Sequence, residues 1–427
     1  MNLLDDFKAR GLFHQSTDEA ALRKALSDGT VTGYIGFDPT AASLHVGSLL
    51  QITNLVRLQR AGHRPIAVVG GGTGLIGDPS GKSAERTLLT QEVLDGYLQG
   101  IRAQLGRYLD FDAKGNAAMM VDNAEWLCAM RLTDFLRDVG KHFSVNAMVQ
   151  RDSVKKRLEE REQGISYTEF SYMLLQAYDF LALYDRYGCT LQLGGSDQWG
   201  NIVSGADLIR RLRNVEAHAL TVPLITSSDG TKFGKTEKGA VWLDPKLTSP
   251  FEFYQFWLNV ADADVGRYLR FFTFLDVPEI EAITGAHEAD PARREGQRRL
   301  AVEMTRFVHG EVALDKAVRT TRVLFETSDW RQLSARDLEV AFDDAPSSAL
   351  ATTALGTPDA QLLGLLVQSG LFTSRSQART GIEQSGVSIN NVVERAPQRV
   401  LTAEDLLPGG YVVLRKGRKH YHMLRVG

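Results

Sequence analysis

Residues 33–48 read Gly-Tyr-Ile-Gly-Phe-Asp-Pro-Thr-Ala-Ala-Ser-Leu-His-Val-Gly-Ser, and the fold turns on how this stretch is read. Val31 to Phe37 is β-branched, aromatic and Gly-interrupted, which predicts a strand. Asp38-Pro39-Thr40 is turn chemistry, because Pro cannot continue a central strand. Leu49, Ile52 and Val56 then recur at helical spacing, so a helix is expected over 45–61, closed by Gly62. His45, Gly47 and Ser48 fall in its first turn, where backbone N–H groups point outward and anions bind. A lone His at a helix start is ordinarily satisfied by local hydrogen bonds. With Thr40 and Gly47 around the same junction, a phosphate site is the better reading. Pro65 to Gly70 is a short apolar run suited to a buried parallel strand, completing a βαβ unit.

The next stretch, Gly70 to Ser83, holds two imperfect motifs. Gly72, Gly74 and Gly77 satisfy Gly-x-Gly-x-x-Gly, yet Asp78-Pro79-Ser80-Gly81 is a turn where a dinucleotide fold needs a helix. Gly77 to Ser83 is one residue short of a P-loop. A glycine-rich loop beside a ligand remains, with Asp78 at the strand's C-terminal edge and Lys82 and Arg86 following. Helices are expected over 88–110 and 131–161, with a buried strand over 117–123 between them.

Ser166-x-x-Glu169 is a capping box that starts a helix at about 167. Tyr172, Gln176 and Asp179 stand on one face of it, among residues apolar nearly all round. Buried polar groups must be satisfied, by an internal network or by a polar ligand. Thr190 to Asn201 reads as strand, Gly194-Gly195 turn and helix, the helix opening at Asp197 and Gln198. Leu220 to Ile225 is a last apolar strand. Ser227 to Thr236 carries Lys232-Phe233-Gly234-Lys235-Thr236, a cationic, hydroxyl-bearing loop able to meet phosphate charge that develops during reaction.

The chain has 427 residues and a formal net charge of −3. That length suggests two to three domains, and weak acidity does not exclude a local basic face. Cys128 and Cys189 have no metal spacing and suggest reduced thiols in a cytoplasmic protein. No basic or apolar N-terminal leader and no 18-residue apolar run is seen, so neither export nor a membrane span is expected. Residues 250–325 look helical, with an Arg-rich part over 293–306. Residues 334–357 look like a linker. The tail, 358–427, carries nine basic and five acidic side chains, a local charge of +4.

His45-Val46-Gly47-Ser48 after a first strand resembles the nucleotide-binding signature of class I aminoacyl-tRNA synthetases. With Tyr34 and Gly36 to Thr40 in front, it resembles the tyrosyl enzymes of bacterial type. That pattern usually ends in His or Asn, and here it ends in Ser48. Thr190 to Asn201 matches the same family closely. Lys232 to Thr236 resembles the second class I signature. The tail, with Arg375 and Arg379 on adjacent helical turns, resembles the small RNA-binding domain also found in ribosomal protein S-four.

The resemblance covers essentially the whole chain. It implies an α/β Rossmann-like parallel-sheet catalytic domain over 1–246, an α-helical domain over 247–333, the linker, and a small α+β RNA-binding domain over 358–427. It also implies a homodimer through the 131–165 region. The implied reaction joins L-tyrosine to ATP as tyrosyl-adenylate, then passes tyrosine to the 3′ end of its tRNA, with Mg2+ only as the counter-ion of ATP and no protein-held metal. Phosphate chemistry would fall to Thr40, His45, Lys82, Arg86, Lys232, Lys235 and Thr236. Tyrosine would be held by Tyr34, Asp78, Tyr172, Gln176, Asp179 and Gln198. ATP would also meet Gly36, Asp38, Gly47, Ser48, Gln192, Gly195 and Asp197. RNA would meet Arg375, Arg379, Lys416, Arg418 and Lys419.

Other readings are a catalytically altered RNA-binding relative, a different nucleotidylyl transferase and a nicotinamide-dependent dehydrogenase. The first leaves the retained His45, Asp78, Lys232 and Lys235 unexplained. The second gives no reason for the tail or the Tyr172, Gln176 and Asp179 face. The third rests only on the failed glycine motif.

Overall fold

The computed structural model describes residues 2–78, 89–150, 154–155, 158, 165–228, 233–236, 239–327, 329–343, 345–417 and 420–427, with only the backbone at 235 and 236. They form two units: residues 1–249 with 256–304, and residues 250–255 with 305–427.

In the first unit a sheet is built from β1 (Gln15–Ser16), β2 (Thr32–Phe37), β3 (Arg64–Val69), β4 (Met119–Asp122), β5 (Cys189–Gly195) and β6 (His218–Val222), in the order β1-β6-β5-β2-β3-β4. β2 to β6 run parallel, and the edge strand β1 pairs antiparallel with β6. Among the parallel strands the first in the chain, β2, lies at the centre. The chain winds outward from it first through β3 and β4, then on the other side through β5 and β6. That is the doubly wound order, and it opens a crevice where the winding reverses, beyond the C-terminal ends of β2 and β5. Tyr34 sits in this middle, in register with Ile66 on one side and Gln192 on the other.

The sequence explains the local steps. The helix Val46–Arg60 starts as expected, with His45 as its N-cap. Tyr167–Tyr187 starts at Ser166, whose hydroxyl accepts from the Glu169 N–H, and ends at Gly188 with φ 63°. Its apolar faces are buried, with Tyr34, Ile66, Val68, Val121, Ala177, Phe180 and Leu183 in one core. Against it lies Trp199–Arg213, where Gly205 leaves room for Phe180: a Cβ there would stand 2.9 Å from the Phe180 ring.

Some boundaries differ from the sequence reading. The last parallel strand is His218–Val222 rather than 220–225, because Pro223 has no N–H to extend the ladder. The helix expected over 88–110 is Gln91–Leu105, capped by Thr90. Within 131–161 the expected helix is broken: Leu132–Asp138 and Val145–Val149 are short helices with a 3-10 turn at Gly140–His142 between them, and Val154, Lys155 and Leu158 are again helical. After residue 228 come two short strands, β7 (Lys235–Thr236) and β8 (Gly239–Ala240), paired antiparallel.

The second unit holds a five-stranded sheet of β9 (Ser347–Leu350), β10 (Val387–Ile389), β11 (Val392–Glu394), β12 (Tyr411–Lys416) and β13 (His420–Val426), in the order β11-β10-β12-β13-β9. The stretch 334–357, expected as a linker, is structured. It contains the helix Ala335–Phe342, started by a reciprocal Ser334/Asp337 capping box, and β9, which pairs parallel with β13. Its small, polar and acidic residues are the caps and edge-strand residues of these elements, so their composition resembled that of a connector.

Candidate functional site

Four strand ends meet at the crevice, and their side chains form one hydrogen-bonded set. Asp38 follows β2. Its Oδ1 accepts from Thr73 Oγ1 at 2.7 Å, and its Oδ2 accepts from the Tyr172 hydroxyl at 2.7 Å. Asn123 follows β4 and donates from Nδ2 to Thr73 Oγ1 and to Asp179 Oδ2, 2.9 Å each. Trp126 Nε1 donates to the other Asp179 oxygen at 2.7 Å. Asp179 is buried, and loss of solvation pushes its carboxyl up to about 7, although the Asn123 and Trp126 hydrogen bonds pull the other way. Deep beside it lies Tyr34, 1 % exposed, whose hydroxyl has no hydrogen-bond partner among the described residues. Burial, reinforced by the Asp179 charge, raises that hydroxyl well above its ordinary range. A buried phenol without a partner next to a carboxylate is a receptor for a hydroxyl-bearing group.

The neighbouring wall is a chain of amides ending on a carboxylate. Asn201 Nδ2 donates to Gln176 Oε1 at 3.1 Å and to Gln198 Oε1 at 3.3 Å. Gln198 Nε2 in turn donates to Asp78 Oδ2 at 2.8 Å. Tyr172 is raised by burial and then by Asp38 and Asp78, so both carboxylates face it. Asp38, Asp78 and the Tyr172 oxygen thus concentrate acceptor character, as a cation requires. Asp197 follows β5, where burial raises its carboxyl, and a Cβ on Gly195 would lie 2.5 Å from its Oδ1. The amide oxygen of buried Gln192 has no partner among the described residues.

The helix start lies beyond Asp38, with Thr40 exposed in the intervening turn. His45 Nδ1 accepts from the Gly47 N–H at 3.0 Å. The neutral ring therefore carries its proton on Nε2, as a donor. Ser48 N–H donates to the His45 carbonyl at 2.8 Å. Segments nearly 200 residues apart in the chain join here. Val46 N–H donates to Val241 O at 3.0 Å, Leu243 N–H donates to Leu44 O at 2.9 Å, and His45 bridges to Trp242 between them. Gly234 packs on Val46, since a Cβ at Gly234 would fall 2.5 Å from Val46 Cγ2. The first signature and the segment carrying the second are therefore stitched together. Lys82, Arg86 and Lys232 lie outside the described residues, and Lys235 and Thr236 are described only as backbone, in β7.

In the second unit, Arg375 and Arg379 are exposed on the helix Arg375–Glu383. Lys416 is engaged locally: its ammonium donates to Leu371 O at 2.8 Å and lies 4.4 Å from the Phe372 ring centre. Arg418 and Lys419 lie outside the described residues. Among the described residues no cluster of three or more His, Cys, Asp or Glu side chains is placed to hold a metal, and no helix is long and apolar enough to cross a membrane.

Sequence reading missed Thr73, Asn123, Trp126 and Asn201. Asn123 ends an expected strand, and polar residues at strand ends of an open α/β sheet are a usable signal. Trp126 and Asn201 carried none.

Comparison with known proteins agrees with this geometry. Residues 27–326 match the family model for class I tRNA synthetases (W and Y), and residues 337–424 match the tyrosine–tRNA ligase SYY-like C-terminal domain. The tyrosine–tRNA ligase of Roseiflexus castenholzii is 53 % identical over 99 % of both chains, and that of Bacillus caldotenax is 50 % identical over 100 % of both. The crystal structure of a C-terminally truncated mitochondrial tyrosyl-tRNA synthetase from Aspergillus nidulans superposes with a TM-score of 0.69 at 32 % identity, covering 76 % of this chain and 94 % of that one. The chain belongs to the tyrosine–tRNA ligase family of class I aminoacyl-tRNA synthetases, whose substrates are tyrosine, ATP and tRNA.

Proposed function

We propose a division of labour within this site for the family's two-step reaction. The tyrosine side chain enters between β2 and Tyr167–Tyr187, its phenol donating to Asp179 and meeting the Tyr34 hydroxyl. Asn123 and Trp126 hold Asp179 in place. The ammonium group is taken by Asp78, Tyr172 and Gln176, with Asp38 and Gln198 orienting them. Gln192, Gly195 and Asp197 line the ribose and carboxylate side, with Gly36, Gly47 and Ser48 along the nucleotide. The carboxylate oxygen of tyrosine then attacks the α-phosphorus of ATP, and the bond to pyrophosphate breaks. No protein nucleophile is required, so catalysis is positioning plus stabilisation of charge on the phosphates. Thr40, His45, Lys82, Arg86, Lys232, Lys235 and Thr236 supply that stabilisation. In the second step a ribose hydroxyl of the tRNA's terminal adenosine attacks the acyl carbon, and AMP leaves.

The observation that carries this assignment is the Tyr34 hydroxyl, without a partner among the described residues, beside the buried Asp179. The test is tyrosine-dependent ATP–pyrophosphate exchange, run with each of the twenty amino acids. Wild type should respond to tyrosine, and Asp179→Ala should lose the response; an unchanged response in the variant would overturn the assignment.

Three finer points belong to the same reading. Mg2+ enters with ATP, as its counter-ion. The chain works as a cytoplasmic homodimer, with Leu132, Leu136 and Val145, all exposed apolar residues within 131–165, on the shared face. Arg375 and Arg379, with Lys416, Arg418 and Lys419, meet tRNA phosphates.

A further inference from the structure

Ser228 and Phe233 flank residues 229–232, and one helix, Asp262–Phe272, fixes both. Ser228 donates from its N–H and its hydroxyl to Asp264 Oδ2, 2.9 Å each, and the Tyr268 hydroxyl donates to Thr226 O at 3.2 Å. Phe233 is 7 % exposed. Its ring centre lies 5.0 Å from that of Tyr268, 5.3 Å from Phe272, 5.7 Å from Phe256 and 5.9 Å from Trp257. Those separations and tilts are the ones aromatic rings prefer, so the cage fixes the ring's orientation as well as its depth.

The residue after it returns the chain to the first signature. Gly234 has φ +77°, packs on Val46, and accepts from the Val241 N–H at 3.0 Å. The helix bearing the Tyr268 and Phe272 half of the cage is itself held by the helix that His45 caps, while Phe256 and Trp257 come from Pro250–Leu258. Buried Arg57, on Val46–Arg60, donates from Nη2 to the carbonyls of Arg270, Phe271 and Thr273 at the end of Asp262–Phe272. Arg10 adds donors to Arg270, Thr273 and Leu275. The contacts therefore close a ring: His45 and Val46 at one end of their helix, Arg57 near the other, then the cage, then Phe233 and Gly234 back on Val46.

We propose that Phe233 is a positioning residue for the activation step: its caged ring fixes the backbone from which Lys235 reaches the phosphates. This rests on the reading of Lys235 as a phosphate ligand. A Phe that merely fills a core would contribute to stability alone; a Phe that aims Lys235 must lose its kinetic effect when Lys235 is gone.

The test measures adenylate formation on the full chain for Phe233→Ala, Lys235→Ala and the double variant, with Phe233→Leu as a milder change. Phe233→Ala should lower kcat by about 10²-fold, the scale of an ångström-sized misplacement, with KM for tyrosine unchanged. In the Lys235→Ala background the same change should cost little more. Phe233→Leu should fall between wild type and Phe233→Ala. It carries the same comparison if the alanine variant does not fold. An equal factor in both backgrounds, or a loss confined to KM for tyrosine, overturns the proposal. Undiminished kcat in Lys235→Ala alone overturns the Lys235 reading beneath it, and is distinct from either.

Discussion

Asp179 accepts from Asn123 and Trp126 with one oxygen each, and burial holds its proton to about 7. An unfolded aspartate ionises near 4, so between about pH 4 and pH 7 the folded chain binds a proton that the unfolded chain does not. The contribution of Asp179 to stability is then fully present below that window and lost as pH rises through about 7. Asp179→Asn should gain on wild type between about pH 5 and pH 8 in thermal unfolding of the ligand-free protein; a gain in the opposite direction would contradict the shift. Tyr172→Phe removes a hydroxyl from the acceptor cluster. It should weaken tyrosine binding by about 1.5–3 kcal/mol, the range for hydrogen bonds to charged groups, with ATP affinity unchanged in equilibrium titration. Tyr172, Gln176 and Asp179 could be read from the sequence because helical spacing places them on one face. Thr73 and Trp126 could not, because only the crossover from β3 to β4 brings them beside Asn123, and no spacing encodes that.

At the scale of elements, the crevice depends on backbones that carry no side chain at key approaches. Gly70 follows β3, and a Cβ there would stand 2.2 Å from Asp38 Oδ1 and 2.6 Å from Thr73 Oγ1. Gly70→Ala should displace Asp38 and lower single-turnover activation by about 10²-fold while the protein stays folded by circular dichroism. Strands and helices were legible because the pattern switches period, from the strand before Asp38 to the helix after Leu44. Their ends were less so. Pro223 cuts β6 back from 225, and Ser334 and Asp337 cap a helix inside a stretch whose composition suggested a connector. Caps and linkers draw on the same polar and small residues, so composition alone does not separate them.

Over the whole molecule, β9 changes where the chain can be cut. Trp330, Leu333, Leu338 and Phe342 are buried with Leu407, Tyr411, Val413 and Met423 from the far end of the sequence. A chain ending at 357 strips that core of its partners and leaves β9 without β13. A chain ending at 326 keeps every residue assigned to tyrosine and ATP. The 1–326 protein should therefore retain tyrosine-dependent pyrophosphate exchange and lose tRNA charging, while the 1–357 protein should aggregate more readily in light scattering. Equal loss of exchange and charging in 1–326 would contradict a C-terminal region devoted to tRNA. The bridge from His45 to Trp242 also bears on synthesis. At about 5–20 residues per second, roughly 10–40 s separate the emergence of its two halves from the ribosome. During that interval β2 and β3 can pair, but the edge awaiting β5 and β6 stays open. The nascent chain thus carries an unfinished sheet and no working active site until the residues around 243 have cleared the exit tunnel.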